Sequence, residues 1–134
     1  MKKVMVTGIG MICANGNGKD AVWSSIKAGT PAIGKITRFD ASRCSCQVAG
    51  EVKDFETYAF DGGLLDKKSA RHMARFSQFA VATAVEAWRD AGYTEENKPD
   101  MDRVATLIGN GIGGLDVTGE SYKILFDRGP ERLS

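Results

Sequence analysis

VATLIGNGIGGL, residues 104–115, decides how the rest of the chain is read. It opens on an apolar, β-rich run through Ile108 and turns through Gly109, Asn110, Gly111, Ile112, Gly113 and Gly114. A periodic segment over 115–126 follows. A buried strand feeding a glycine turn and then a helix is a common way to build a site in an α/β protein. Four glycines in six positions remove four side chains, so backbone can approach backbone or ligand closely. Ile112 is the one large residue among them. It reads as the wall of an apolar pocket and not as a catalytic group.

Working outward, Val4, Met5 and Val6 predict a first strand, followed by the turn Gly8, Ile9, Gly10. A helix is expected over 18–28, with Asn17 as N-cap, Asp20 near its positive end and Gly29 and Pro31 as its stop. Val22, Trp23 and Ile26 form its apolar side. Residues 30–51 read mostly as loop, with a short edge strand within 46–52, and 53–65 as an irregular excursion. Asp66 suits the cap of a further helix. In that helix Lys67, Lys68, Arg71, His72 and Arg75 crowd about two turns.

From Met73 the pattern changes. Met73, Phe76, Ala80, Ala84, Ala87 and Ala91 recur at spacings of three and four, and Val81, Val85 and Trp88 widen the stripe. Such a helix is expected to be buried on more than one side, and Gly92 ends it. The order strand, helix, loop, helix, strand, helix predicts an α/β fold with a parallel sheet. Two good strands and one weak one are too few to cover so apolar a helix. The chain is therefore expected to be the front part of a larger domain.

Composition narrows the function classes. A length of 134 residues fits one domain or part of one, and 43% hydrophobic residues can supply a core. Eighteen basic and seventeen acidic side chains leave a net charge of +1, so bulk charge points to neither nucleic acid nor a membrane surface. No apolar run approaches the roughly 18 residues of a membrane span. The opening MKKVMVTGIG breaks at Gly8 and Gly10 and lacks a small-residue cleavage site, so a cytoplasmic protein is expected. Cys13, Cys44 and Cys46 are odd in number, which fits a reducing compartment. The Cys44-Ser45-Cys46 spacing is wrong for a zinc knuckle, and neither metal nor cofactor is expected.

Catalytic signals are sparse. Gly109 to Gly114 match G-x-G-x-x-G, but that fingerprint also wants an acid at the end of a second strand about 20 residues on. Asp127 is near that distance, yet a helical segment intervenes and carries it to a loop; a dinucleotide-binding module stays as an alternative. His72 is the only histidine and reads as a solvent-facing residue on a basic helix end. No nucleophile–base pair is visible. The basic cluster is either a solvated face or a dock for an acidic helix, with Arg71 and Arg75 sharing a helix side with Lys67 and Lys68. Arg128 and Arg132 add positive charge further on.

Five separated blocks carry a resemblance: VMVTGIGMICANGNG (4–18), ITRFDASRCSCQVAGEVKDF (36–55), DKKSARHMARFSQFAVATAVEAWRDAGY (66–93), LIGNGIGGL (107–115) and GPERLS (129–134). Together they resemble the N-terminal part of β-ketoacyl-[acyl-carrier-protein] synthases, most nearly the elongating synthase II of bacterial fatty-acid synthesis. The resemblance implies that 1–134 is the N-terminal portion of a thiolase-like domain with an α-β-α-β-α layered fold and a parallel-rich sheet. It implies a homodimeric acyltransferase that performs a decarboxylative condensation of acyl and malonyl carrier protein. It places the catalytic cysteine and two histidines further along than this chain reaches, so no catalytic residue is assigned here and the chain alone is expected to be inactive. Ile112 matches the family's acyl-pocket gate, flanked by Gly111 and Gly113 in the substrate-binding turn. Lys68, Arg71 and Arg132 match basic positions that meet the acidic carrier protein. Ala14 departs from a usual proline, His72 from a basic residue, and Glu131 from a positive charge. A non-catalytic partner subunit of the same fold is the other reading the resemblance leaves open.

Overall fold

The computed structural model describes residues 3–133. Its elements follow in the order β1 (Ile12–Cys13), β2 (Gly16–Asn17), α1 (Lys19–Lys27), β3 (Ile33–Lys35), β4 (Val48–Gly50), α2 (Lys67–Ala70), α3 (Arg75–Asp90) and α4 (Leu115–Arg128). A π turn occupies Thr57–Asp61, and 3-10 turns occupy Met101–Arg103 and Pro130–Arg132. β1 and β2 form an antiparallel hairpin that sets Ile12 opposite Asn17. β3 and β4 pair antiparallel with Gly34 opposite Ala49, so the expected edge strand within 46–52 is present.

The two main strands expected from the sequence do not appear as strands. Val4, Met5 and Val6 and residues 104–108 carry no ladder among the described residues. A strand exists only where a neighbouring backbone completes its hydrogen bonds, and apolar β-rich composition alone does not provide one. The sheets among the described residues are thus short and antiparallel, where a parallel-rich sheet was expected.

The stretch just after the first segment, Gly8 to Met11, and part of the second lie along α3. On one side the Ile9 N–H donates to Asp90 Oδ2 at 3.0 Å and the Met11 N–H donates to Glu86 Oε2 at 2.8 Å. This approach requires glycine. A methyl at Gly10 would collide with the Thr83 carbonyl, and one at Gly8 would sit 2.7 Å from the Ala91 nitrogen. Thr83, Ala87 and Ala91, spaced by four, form the small-residue strip that receives this backbone. On another side Thr106 and Ile108 line an apolar groove of about 310 Å³ with Ala80, Ala84 and Trp88. α3 is thus contacted on more than one side, but of its residues only Ala82 is buried, where the periodicity predicts wider burial.

The core corrects another reading. Residues 53–65, expected to be an irregular excursion, supply half of the buried hydrophobic side chains among the described residues: Phe55, Ala59, Leu64 and Leu65 cluster with Ala82 of α3. Phe55, just before the π turn, and Ala59 within it are both fully buried. Phe55 meets Phe79 edge to face, with ring centroids 4.7 Å apart. Arg89 forks onto the carbonyls of Gly62 and Gly63 at 2.9 and 2.8 Å, tying the end of the excursion to α3.

Capping is partly as expected. Asp66 caps α2, accepting from the Ser69 N–H at 2.7 Å and its hydroxyl at 2.9 Å. Asn17 does not cap α1. Gly18 holds the N-cap with φ of 90°, and the Asn17 amide donates to the Lys53 carbonyl at 2.7 Å instead. The first N–H of α1, that of Lys19, is satisfied by Glu86 Oε1 of α3 at 2.8 Å. A carboxylate from a distant helix thus replaces the local cap. Gly92 and Gly129, with φ of 74° and 82°, follow α3 and α4 in the left-handed region, as the sequence predicts.

Burial first, and then the charge of the neighbouring Glu86, pushes the Tyr58 phenol up to about 12. A raised folded value means that this contribution is complete below the ordinary tyrosine range and is lost as pH rises through about 12. Glu86→Ala orphans the N–H groups of Met11 and Lys19 and is expected to cost about 2 kcal/mol. A urea unfolding curve checks this against Glu96→Ala, which should change little. In the same variant the late-ionising phenolate, followed by ultraviolet absorbance, should move to lower pH.

Candidate functional site

The glycine turn is held at one end only. A methyl at Gly113 would sit 2.7 Å from the Phe76 ring, so this glycine lets the turn pass against the start of α3. Gly114, with φ of 71°, is the N-cap of α4 and turns the backbone into it. Gly109 and Gly111 face open space. Ile112 is 78% exposed, and Leu115 after it is also exposed. The sequence correctly places Ile112 as the one large side chain between Gly111 and Gly113. In these residues its side chain stands in the open and not in an enclosed pocket.

The turn lacks the other parts of the dinucleotide fingerprint among the described residues. No ladder-bonded strand precedes it among the described residues. Asp127 falls in the last turn of α4, where a loop position was expected, and not at a strand end. The fingerprint's acid at the end of a second strand therefore has no counterpart among the described residues.

The basic cluster does not lie on one helix. α2 is a single turn ending at Ala70, and α3 begins at Arg75, so Arg71 and Arg75 do not share a helix side as expected. Lys68 sits in that turn and Arg71 at its C-cap, and both are exposed. Exposed His72 follows, its N–H donating to the Ser69 carbonyl at 3.2 Å. Lys67 sets its ammonium 5.7 Å from the centroid of the Phe60 ring.

Arg75 has a different role. Its guanidinium donates to Glu56 Oε1 at 2.5 Å and lies 5.3 and 5.1 Å from the ring centroids of Phe55 and Phe79. The Glu56 carboxyl is held below its usual range, chiefly by that hydrogen bond. Arg75 is thus committed to the core, while Lys68 and Arg71 are left to solvent. Lys67, Arg71 and Arg75 rim a shallow cavity of about 340 Å³ with Phe60 and Gln78 in its wall. Arg132 lies on the separate turn Pro130–Arg132, which packs on α4. The structure brings Lys68 and Arg71 together and leaves Arg132 on another element.

Among the described residues no group of three or more His, Cys, Asp or Glu side chains is placed to hold a metal ion. No described helix is long and apolar enough to cross a membrane. Glu86 and Asp90 are organising residues that the sequence reading does not single out. Their spacing of four on α3 was the available signal, because two acids inside a helix expected to be buried on several sides need partners.

Comparison with known proteins agrees with the resemblance. The family described as "Beta-ketoacyl synthase, N-terminal domain" matches residues 1–133. The chain is 44% identical over 133 residues to a 3-oxoacyl-[acyl-carrier-protein] synthase 2 of Synechocystis sp., covering 99% of this chain and 31% of that protein. It is 39% and 38% identical, with the same coverage, to proteins of that name from Staphylococcus aureus and Coxiella burnetii. The chain thus spans about a third of the length of these relatives, 31% in each case.

The two arginines should separate by experiment. Arg75→Ala loses its ion pair and its packing on Phe55 and Phe79, and is expected to cost about 1–2 kcal/mol. Arg71→Ala is expected to stay within about 0.5 kcal/mol of the parent. Thermal or urea unfolding of both variants checks the assignment.

Proposed function

This chain belongs to the β-ketoacyl synthase family, and on that premise we propose that it forms the front portion of an elongating 3-oxoacyl-[acyl-carrier-protein] synthase. The observation that carries the reading is the family match over residues 1–133 together with identity of 38–44% to three proteins of that name. The reaction proposed for the whole protein is decarboxylative condensation of an acyl thioester with malonyl carrier protein, within fatty-acid synthesis. The completed fold is a thiolase-like α/β layered sandwich with a parallel-rich sheet, in a cytoplasmic homodimer. The extended segments beside α3 support the sheet, since their backbone groups carry no ladder here.

Within that protein this chain contributes positioning and recognition. Gly111, Ile112 and Gly113 form the gate of the acyl pocket: an apolar side chain on a glycine turn can swing without dragging neighbouring side chains. Lys68 and Arg71 dock the acidic carrier protein, and Arg132 adds a second contact. Their exposure supports this role, because a docking charge must not already be spent. Exposed charge pairs act over about 10 Å at 0.1 M salt, so docking is expected to be weak and salt-sensitive.

The reading is tested in a polypeptide of the relatives' length that carries this chain as its first third. That protein should release a β-ketoacyl carrier protein from acyl and malonyl carrier protein, whereas the 134-residue chain alone should release none. Condensation by the short chain, or none by the long one, refutes it. Charge reversal at Lys68 and Arg71 together should weaken carrier binding roughly tenfold at about 0.1 M salt. Unchanged binding would make the patch mere solvated surface. Ile112→Phe should reduce turnover of long acyl chains more than of short ones, and equal effects would remove the gate assignment.

A further inference from the structure

The condensing-enzyme reading makes no use of Cys44 and Cys46. They are two residues apart, and both are free and exposed. They lie in the connection between β3 and β4, which is organised although it lacks regular structure. Asp40 accepts from the Ser42 N–H at 3.0 Å and the Cys44 N–H donates to the Ala41 carbonyl at 2.9 Å. The Gln47 side chain returns to the Ser42 carbonyl at 3.3 Å, and Ala41 is buried beneath the loop. The Ile36 N–H donates to the Gln47 carbonyl at 3.0 Å, closing the base of the loop beside the β3–β4 pair. The chain bends at Cys44 and Ser45. Cys46 is held at the end nearest β4 by a hydrogen bond from its Sγ to the Val48 carbonyl at 3.4 Å.

We propose that Cys44 and Cys46 are a reversible redox modification site that closes to an intraloop disulfide under a disulfide oxidant such as oxidised glutathione. One cysteine thiolate attacks a glutathione sulfur, forming a mixed disulfide and expelling one glutathione thiolate. The second cysteine, as its thiolate, attacks the protein sulfur of that mixed disulfide and expels the second glutathione. The protein loses two electrons and two protons, and the oxidant becomes two glutathione thiols. Disulfides need Cα atoms about 4.4–6.8 Å apart, a span that a bent three-residue segment can meet. A bond in so small and exposed a ring is of the labile type that a change in thiol poise opens again. Closure pulls the Cys46 sulfur off the Val48 carbonyl and fixes the loop between β3 and β4. Cys13, half-buried in β1, takes no part.

The experiment exposes the full chain to graded ratios of oxidised to reduced glutathione, quenches with acid and measures intact mass, free thiols and the peptide containing residues 42–48. The expected result is a mass lower by two hydrogens, free thiols falling from three to one, and the bond mapped to Cys44 and Cys46. Reduced glutathione in excess should restore all three thiols. Cys44→Ser and Cys46→Ser should each abolish the closed form and accumulate the glutathione adduct. The same titration in urea separates the bent loop from mere proximity in sequence. The folded chain should close at an oxidant ratio several-fold lower than the unfolded chain. Adducts without closure, a bond to Cys13, or identical titrations in the two states would each overturn the proposal.

Discussion

The fold depends on the carboxylate of Glu86. It lies on the half-buried side of α3, accepts from the N–H groups of Met11 and Lys19 at 2.8 Å each, and neighbours the Tyr58 phenol. Three segments distant in sequence therefore converge on one side chain: the extended stretch before β1, the start of α1 and the π turn. A half-buried acid with incomplete partners would be costly, whereas this one holds two backbone donors. Asp90, one turn further along α3, repeats the device with the Ile9 N–H and the Lys19 ammonium. The Asp90 carboxyl is held below its usual range, first by the hydrogen bond from Lys19 and then by that from Ile9. Its contribution is therefore present above the ordinary carboxylate range and is lost as the solution is acidified through the lowered value. The Lys19 ammonium, raised chiefly by the same bond, holds its contribution below the ordinary lysine range and loses it at more alkaline pH.

Much of the helical framework was legible because its signals are local. α1 and α4 begin and end close to where apolar spacing, capping acids and glycine stops place them. Asp66 caps α2 as its position before an amphipathic run predicts. What was not legible is what depends on partners remote in sequence. Val4 to Val6 and 104–108 have strand composition, but a ladder is a property of two backbones and composition describes only one. The excursion over 53–65 looked irregular because a π turn carries no familiar periodicity, yet Phe55 beside that turn and Ala59 within it lie in the core. Asn17 looked like a better cap than Gly18 until a carboxylate 67 residues beyond Lys19 took the role.

The candidate site shows the same division. Residue spacing identified the glycine turn and its one large side chain, and the structure adds why two of the glycines are needed: Gly113 passes the Phe76 ring and Gly114 turns left-handed into α4. The gate and docking roles came from resemblance, since an exposed isoleucine and two exposed cations have no intrinsic direction. The Cys44-Ser45-Cys46 loop is a contrasting case. Spacing excluded the usual zinc arrangement, and only the bend and the exposure of both sulfurs give the pair another chemistry.

Electrostatics decides what such a surface can recognise. With a net charge of +1 the chain has no long-range field to attract an acidic partner, so recognition has to be local. The fold sorts its charges accordingly. The acids of α3 are turned inward onto backbone donors, and Arg75 is drawn into the core by Glu56 and two aromatic rings. Lys67 is partly engaged over Phe60. Lys68 and Arg71 are exposed without an ion pair among the described residues, as are Lys67 and His72. Sequence alone counted five basic groups crowded into two turns. Packing withdraws Arg75 from that cluster and leaves the others at the surface of one short turn and its C-terminal end.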